Sequence, residues 1–175
     1  MKVHLGCGKR NFGSDWVNID IEKFPHVTSH SVETLPFADG SCDLLYASHL
    51  IEYFNREKIV EILNEWNRVL KPGGILRIAV PDFEVMCNLY KNGYSLDTFL
   101  GPLYGKWSNP AFYHKTVYDY RSLKELLMRI GFSKVHRYNW RHTEHAEHDD
   151  HSQAYIPHMD KEHGTLLSLN VEATK

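Results

Sequence analysis

The sequence of 175 residues lacks a strong net charge, long apolar runs and paired cysteines. A net charge of −2 provides no overall basic field to hold a nucleic-acid backbone. No apolar run approaches the roughly 20 residues that cross a bilayer, and no apolar signal segment follows Met1. Cys7, Cys42 and Cys87 are odd in number and widely spaced, which is typical of reduced thiols. We therefore expect a cytoplasmic protein without nucleic-acid or membrane partners.

The composition is an ordinary globular mixture, with 42% hydrophobic and 24% charged residues. The length suits one compact domain, and the chain shows neither repeats nor a low-complexity linker. We therefore expect a single domain over residues 1–175. The sequence carries no pattern that sets an oligomeric state.

Short apolar runs alternate with turns and helices along the chain. This alternation predicts an α/β fold, a single doubly wound Rossmann-like domain with helices on both faces of a mainly parallel sheet. We expect about seven strands, with the last antiparallel to the rest. The predicted strands are Lys2–Leu5, Trp16–Asp20, His26–Ser29, Cys42–Ala47, Ile75–Val80, Val135–Trp140 and Leu166–Ala173.

Two helices are predicted from apolar periodicity, Arg56–Leu70 and Leu123–Ile130. Asn55 can cap the first, and the segment Lys71-Pro72-Gly73-Gly74 ends it. Ser122 and Glu125 have the spacing of a capping box for the second helix, and Gly131 ends it. In the last strand, polar Ser168, Asn170 and Glu172 alternate with apolar residues, which predicts one wetter face.

A glycine turn follows the first strand and an acid ends the second. Gly6 and Gly8 allow a tight turn and a close approach of the backbone to a ligand. Asp20 can accept both hydroxyl groups of a ribose. A dinucleotide-binding fingerprint would require glycine at position 11, where the chain has Asn11, and an acid further along the chain. A nicotinamide dehydrogenase is therefore disfavoured, and an adenosyl ligand without a pyrophosphate fits better.

Five segments follow one another along the chain: Val3-His4-Leu5-Gly6-Cys7-Gly8, Asn18-Ile19-Asp20, Leu35-Pro36-Phe37, Cys42-Asp43-Leu44-Leu45 and Arg68-Val69-Leu70-Lys71-Pro72-Gly73-Gly74. Their order resembles class I S-adenosylmethionine-dependent methyltransferases. The region from Glu65–Arg68 through Val80–Glu84 is similar to a compact branch associated with glycan-building enzymes, and Tyr118-Asp119-Tyr120 and Gly131-Phe132 also fit that branch.

This resemblance implies S-adenosylmethionine as the cofactor. The glycine turn would contact its methionine end, Asp20 its ribose and Ser31-Val32 its adenine edge, while Ser48-His49 would lie beside the methyl group. The residues expected to bind the cofactor are Leu5, Gly6, Cys7, Gly8, Asp20, Ile21, Ser31, Val32, Ser48 and His49.

Three features depart from the family pattern. The segment between Gly8 and Trp16 is too short for the usual first crossover helix and predicts at most one helical turn. Ser31 stands where many members carry an aspartate, and Tyr53 replaces a frequent histidine. These departures keep open a binding module of methyltransferase type without turnover.

The resemblance divides the chain into a cofactor-binding half, residues 1–82, an insert, residues 83–121, and closing elements, residues 122–175. The insert is rich in aromatic side chains that can pack a small subdomain or form a lid over an acceptor. Those side chains are Tyr90, Tyr94, Phe99, Tyr104, Trp107, Phe112, Tyr113, Tyr118 and Tyr120.

A methyl acceptor with a hydroxyl group benefits from a general base. The candidates are His49 and Asp82, which follow core strands, and His114 in the insert, with His49 favoured for its position on a rigid strand end. Structural roles for all three remain open.

Four histidines recur every third residue, beside Asp149 and Asp150. Imidazole and carboxylate groups at close spacing can bind a divalent metal. The segment is wholly polar and has the character of a solvated loop, so we predict no metal site. The histidines are His142, His145, His148 and His151.

We predict methyl transfer from S-adenosylmethionine to an oxygen of a sugar or glycan precursor. The alternatives are methylation of another small metabolite at oxygen, nitrogen or carbon, and cofactor binding without turnover.

Overall fold

The computed structural model describes residues 1–106 and 112–175. Its main feature is a seven-stranded sheet, formed by β1 (Lys2–Leu5), β2 (Trp16–Ile19), β3 (Val27–Ser29), β4 (Cys42–Ser48), β5 (Leu70–Pro81), β6 (Ser133–Arg137) and β9 (Ser168–Thr174). The strand order in this sheet is β3-β2-β1-β4-β5-β9-β6.

Strands β1 to β5 pair in parallel, and β9 pairs antiparallel with both β5 and β6. The predicted fold, a doubly wound sheet with its last strand antiparallel, is confirmed. The register aligns Leu5 with Ile19 and Ala47, and Ser48 with Ala79. The residues that follow these strands therefore meet at one edge of the sheet, where such folds bind their ligands.

Helix α1 (Lys58–Val69) begins two residues later than predicted and ends one residue earlier. The predicted cap is present, because Asn55 Oδ1 accepts hydrogen bonds from the backbone nitrogens of Glu57 and Lys58. The apolar stripe of the helix is buried against the sheet, with Trp66 fully inaccessible. Its indole nitrogen donates to the Val32 carbonyl over 2.8 Å.

Helix α4 (Tyr120–Ile130) begins three residues earlier than predicted, and its capping box differs. Asp119 is the cap: its carboxylate accepts from the Ser122 backbone, and the Ser122 hydroxyl accepts from the Asp119 backbone nitrogen. The predicted pair of Ser122 and Glu125 is therefore wrong, since Ser122 is the third helical residue. Gly131 ends the helix in the left-handed conformation, as predicted.

The face of the sheet that packs against α1 and α4 carries the main core. This core contains odd-numbered residues of the central strands, such as Val3 and Leu45, and the even-numbered Ile78 of β5. The apolar stripes of both helices pack against them. Alternation along a strand sends the neighbouring residues, such as His4 and Tyr46, to the opposite face.

The opposite face is covered by an irregular segment rather than by long helices. No helix occurs between Gly8 and Trp16, so the first crossover is shorter still than the single turn expected. Residues 138–164 cover this face with two short 3-10 turns, Trp140–His142 and His151–Gln153. The predicted strand to Trp140 therefore stops at Arg137.

The wetter face expected for the last strand is not observed. Ser168 and Asn170 are each only 3% exposed. They are covered by the 3-10 turn at residues 151–153, where the Asn170 amide donates to the Ser152 carbonyl. The polar alternation reflects a buried hydrogen-bond network beneath this segment.

The insert contains α2 (Phe83–Lys91) and α3 (Asp97–Tyr104), and a small hairpin of β7 (Tyr155–Ile156) and β8 (Thr165–Leu166) follows later in the chain. Met86, Leu89 and Phe99 form a separate apolar cluster with Leu167. Within residues 1–106 and 112–175, no helix combines the length and apolar composition that crossing a membrane requires.

Candidate active site

The glycine turn after β1 adopts the conformation that its sequence suggested. Gly6 and Gly8 have φ angles of +67° and +56°, a region that glycine enters without steric cost. The backbone nitrogens of Gly6 and Cys7 both donate to the Ile19 carbonyl, which folds the turn over the end of β2. A Cβ on Gly6 would lie 3.0 Å from the Leu50 side chain, whereas one on Gly8 would meet open space.

Asp20 is 7% exposed at the end of β2 and faces this turn. One carboxylate oxygen accepts from the Gly8 nitrogen over 2.7 Å, and the other accepts from the Glu22 nitrogen over 2.8 Å. Each oxygen has a second lone pair. The carboxylate therefore fixes the glycine turn and keeps acceptor capacity for two further hydroxyl groups.

Ile21, expected to bind the cofactor, lies on the loop after β2 with 73% of its surface exposed. Ser31 and Val32, the residues expected at the adenine edge, follow β3. The Ser31 hydroxyl accepts from the backbone nitrogens of Glu33 and Thr34 and so holds its own turn. The Val32 side chain packs against the core, and its backbone carbonyl accepts the hydrogen bond from the Trp66 indole nitrogen.

Two histidines that the sequence analysis did not select support this region. His26 Nε2 lies 3.0 Å from the Gly8 carbonyl oxygen, and His30 Nδ1 lies 3.0 Å from the Asp20 carbonyl oxygen. Since a carbonyl only accepts, each ring nitrogen donates. Buried Cys7 lies beside His26, and burial raises the pKa of its thiol to about 12, so the thiol stays protonated.

The end of β4 brings Ser48 and His49 to the same edge. The Ser48 hydroxyl is buried and has no hydrogen-bond partner within the described part of the chain. His49 has a φ of +50°, and its backbone nitrogen donates to the Ala79 carbonyl. Its Nε2 lies 3.3 Å from the Ser168 hydroxyl oxygen, and its ring lies 5.1 Å from the His151 ring.

The Glu52 side chain lies close to both candidate histidine bases. Its Oε1 lies 3.5 Å from His49 Nδ1 and 4.0 Å from His114 Nε2. The sequence analysis did not select Glu52, although its position three residues after His49 was a usable signal. The structure thus brings together a strand-end histidine, an insert histidine and a carboxyl group that was overlooked.

Burial controls the protonation of these three groups. It lowers the pKa of His49 well below its usual value, and the proximity of His151 lowers it further. Burial likewise lowers the pKa of His114, and it raises the pKa of Glu52 to about 8. Both imidazoles are therefore neutral near pH 7, which is the state that a general base requires.

Asp82 has a structural role, and we do not retain it as a candidate base. It is 1% exposed and caps α2 by accepting from the backbone nitrogens of Glu84 and Val85. Its other oxygen accepts from Arg137 over 2.9 Å. Both of its oxygens are therefore engaged in structural hydrogen bonds.

A cavity of about 630 Å³ opens beside His114. Its wall is mainly apolar and aromatic, with Asp97 as its carboxylate. The His114 ring is fixed there by Nδ1, which donates to the Pro102 carbonyl over 2.9 Å, and by an edge-on contact with Tyr53. The lining residues are Asp97, Leu100, Gly101, Tyr104, Gly105, Tyr113 and His114.

The aromatic side chains of the insert divide between packing and exposed positions. Phe99 and Tyr118 are 2% and 6% exposed and belong to apolar clusters. Tyr104 and Tyr113 line the cavity instead. Trp107 lies outside the described residues.

The four regularly spaced histidines do not face a common point. His145 and His148 both stack on Phe12, on the covered face of the sheet. His151 lies beside His49, and His142 ends a 3-10 turn. The described residues contain no group of three or more histidine, cysteine or acidic side chains that could hold a metal ion.

Comparison with known proteins connects this geometry to a family. Residues 5–78 match the family described as "Methyltransferase domain". A demethylmenaquinone methyltransferase of Chlorobaculum parvum is 30% identical over 121 residues, which cover 65% of this chain and 47% of the relative. The chain spans about half the length of the curated relatives it matches.

Solved structures share the fold over nearly the whole chain. A SAM-dependent methyltransferase from Archaeoglobus fulgidus has a TM-score of 0.62 at 17% identity, covering 99% of this chain and 85% of that chain. The Burkholderia thailandensis 1,6-didemethyltoxoflavin-N1-methyltransferase, solved with S-adenosylhomocysteine, has a TM-score of 0.59 at 15% identity, covering 99% and 70%. Likeness at such identities shows the fold alone. The chain therefore has the fold of S-adenosylmethionine-dependent methyltransferases, and its residues 5–78 are similar to the methyltransferase domain family.

Proposed function

We propose that this domain transfers the methyl group of S-adenosylmethionine to an oxygen of a small acceptor bound in the cavity beside His114. The observation that carries the proposal is the orientation of His114. Its Nδ1 proton is given to the Pro102 carbonyl, so Nε2 keeps its lone pair in a ring that lines the cavity. A fixed neutral imidazole in a cavity wall is suited to take a hydroxyl proton.

The residues proposed to hold the cofactor fit an adenosyl ligand. The left-handed glycine turn leaves open space beside Gly8, and Asp20 keeps free lone pairs for ribose hydroxyl groups. The Ser48 hydroxyl, which has no hydrogen-bond partner among residues 1–106 and 112–175, supplies a buried polar group at the same edge. Ile21 and Val32 would contact the adenine ring through apolar surface, which is consistent with the absence of an aspartate at Ser31.

S-adenosylmethionine supplies an already activated methyl group. The chain therefore has to position the acceptor and accept its proton. His114 replaces His49 as the preferred base, because the His114 ring lines the cavity and His49 is not among the lining residues. The His49 ring lies instead between Ser168 and Glu52.

The cavity wall favours an acceptor with an apolar or aromatic ring. Leu100, Tyr104 and Tyr113 offer flat apolar surface, and a ring stacked on them would direct a hydroxyl group toward His114. The curated relatives above are named for demethylmenaquinone, which agrees with a ring acceptor. A sugar or glycan precursor is the second candidate, since aromatic side chains also stack on the apolar face of a sugar.

A methyl-transfer assay tests the proposal. Isotopically labelled S-adenosylmethionine would be incubated with one panel of hydroxylated aromatic and quinol compounds and one panel of nucleotide sugars. We expect labelled product in the first panel, and product only in the second would assign the sugar class. Binding of S-adenosylhomocysteine with no labelled product in either panel would contradict the proposal and favour a binding module.

His114→Ala separates the two candidate bases once an acceptor is known. We expect turnover to fall about 10²–10⁴-fold with S-adenosylhomocysteine affinity nearly intact. The exposed His158→Ala is the matched control. Normal turnover in His114→Ala together with a large loss in His49→Ala would return the role to His49.

A further inference from the structure

Glu52 occupies an unusual environment for an acid. It lies in the 3-10 turn Ile51–Tyr53, directly after β4, and its side chain is 1% exposed. Both carboxyl oxygens are buried without a hydrogen-bond partner within the described residues. Its backbone carbonyl accepts from the nitrogens of Lys115 and Thr116, so the turn ties the core to the insert. An isolated buried charge of this kind is costly.

The hydrogen bonds around His114 determine where its lone pair lies. A backbone carbonyl can only accept, so the 2.9 Å contact between His114 Nδ1 and the Pro102 carbonyl places a proton on Nδ1. In the neutral ring, Nε2 is then the unprotonated nitrogen. This nitrogen faces Glu52 Oε1 over 4.0 Å.

A longer chain of bonds determines the His49 tautomer. The Asn170 amide nitrogen donates to the Ser152 carbonyl, which turns Asn170 Oδ1 toward the Ser168 hydroxyl. That hydroxyl donates to Asn170 Oδ1 over 3.0 Å, so its oxygen accepts from His49 Nε2. His49 Nδ1 is then the unprotonated nitrogen, and it faces the same Glu52 oxygen over 3.5 Å.

Two unprotonated imidazole nitrogens therefore lie within 4.0 Å of one carboxyl oxygen. If Glu52 were ionised, three acceptors would face one another without a proton between them. A protonated carboxyl group supplies the missing donor. The raised pKa of Glu52, about 8, and the lowered pKa values of both histidines agree with this arrangement.

We infer that Glu52 is a positioning residue, a neutral carboxylic acid that donates its proton to His49 Nδ1 and lies beside His114 Nε2 at the junction of core and insert. Its catalytic consequence rests on the proposed function, because an uncharged carboxyl group beside His114 leaves that imidazole neutral. The shorter contact with His49 receives the Glu52 proton, which leaves the His114 lone pair for an acceptor.

Other titratable groups face this trio and enter its pH dependence. His151 and Arg10 lie on the His49 side, and both lower the pKa of His49. Burial raises the pKa of the Tyr53 and Tyr118 phenols, the neighbouring Glu52 raises both further, and Arg56 lowers that of Tyr118. Both phenols are neutral near pH 7, so neither places a charge beside Glu52.

Infrared spectroscopy of the apo-protein tests the protonation state without any acceptor. At pH 7 the difference spectrum between wild type and Glu52→Gln should contain the C=O stretch of a protonated carboxyl group. This band should disappear as the pH rises above about 8. The exposed Glu147→Gln is the matched control and should show only carboxylate bands. A Glu52 difference that contains only carboxylate bands would overturn the inference, even if methyl transfer were demonstrated.

Turnover tests the positioning role. Glu52→Ala should lose roughly tenfold or more in turnover, the equivalent of one positioning hydrogen bond. Glu52→Gln should rescue most of that loss, because an uncharged amide also donates a hydrogen bond. Wild-type turnover should fall as the carboxyl ionises above pH 8, and Glu52→Gln should lack that fall. Equal losses in the two variants would show that a carboxylate charge is required and would contradict the inference. If no acceptor is methylated, the infrared result still decides the state of Glu52.

Discussion

At the scale of single residues, Asp20 shows how one side chain can organise a binding loop and still serve a ligand. Its two oxygens accept from the Gly8 and Glu22 nitrogens, on either side of the proposed ribose position. The helix N-terminus that would usually support such a turn is absent between Gly8 and Trp16. His26 and His30 hold the backbone there instead.

Replacing Asp20 should therefore weaken cofactor binding strongly. Charge-assisted hydrogen bonds contribute about 1.5–3 kcal/mol each, so Asp20→Ala should reduce S-adenosylhomocysteine affinity roughly tenfold or more in a calorimetric titration. Asp20→Asn keeps one oxygen acceptor and should lose less. Asp15→Ala, an exposed acid on the same crossover, is the control. An unchanged dissociation constant for Asp20→Ala would show that another acid binds the ribose.

Several site residues could be predicted from the sequence because they follow core strands. Gly6, Asp20 and His49 lie at positions where the sheet register brings strand ends together. His26, His30 and Glu52 could not be selected this way, since their roles depend on contacts across loops. Asp82 also follows a strand as predicted, but its contact with Arg137, 55 residues later, could not be foreseen from that position.

At the scale of elements, helix and strand positions were predictable where periodicity and caps agreed. The apolar stripe and the Asn55 cap located α1 within two residues at each end. The start of α4 was missed because Asp119 competes with Ser122 as a cap, and local spacing does not show which residue leaves the helical conformation.

The covering of the second face of the sheet was not predictable from local pattern. Ser168 and Asn170 look like the polar side of an exposed strand, yet the segment around Ser152 buries them and satisfies their hydrogen bonds. The histidine-rich segment looked like a solvated loop. The rings of His145 and His148 instead stack on Phe12, and His145 also contacts Tyr46, which only the fold brings together.

At the scale of the whole molecule, this histidine packing has a consequence for stability. His4 and His145 are each 1% exposed, and burial lowers their pKa values to about 3 and about 4. In the unfolded chain, where the histidine pKa is about 6.5, both imidazoles bind protons at a pH at which the buried rings of the folded chain stay neutral. Above about pH 6.5 these two histidines therefore do not reduce the free energy of unfolding. As the pH falls toward their pKa values in the folded chain, the free energy of unfolding decreases.

Removal of one of these histidines should flatten that dependence. At pH 5, 1.5 units below the unfolded pKa, each buried imidazole costs about 2 kcal/mol of unfolding free energy. The drop in unfolding free energy between pH 7.5 and 5, measured with urea, should be about 2 kcal/mol smaller for His4→Gln than for wild type. The raised pKa of Glu52 changes the free energy of unfolding with pH in the opposite direction. The informative quantity is therefore the difference between the drops measured for His4→Gln and for wild type. The exposed His163→Gln should keep the wild-type drop, and an equal drop in His4→Gln would contradict the burial argument.

The central claim, that this glycine turn and strand-end acid bind S-adenosylmethionine rather than a dinucleotide, is tested most directly by calorimetry on the wild-type chain. Titrations with S-adenosylmethionine, S-adenosylhomocysteine and NAD would be compared under one set of conditions. The account predicts saturable binding of the two adenosyl-sulfur ligands and no binding of NAD, because Asn11 stands where a pyrophosphate loop requires glycine. Saturable binding of NAD with no heat from either adenosyl-sulfur ligand would contradict it.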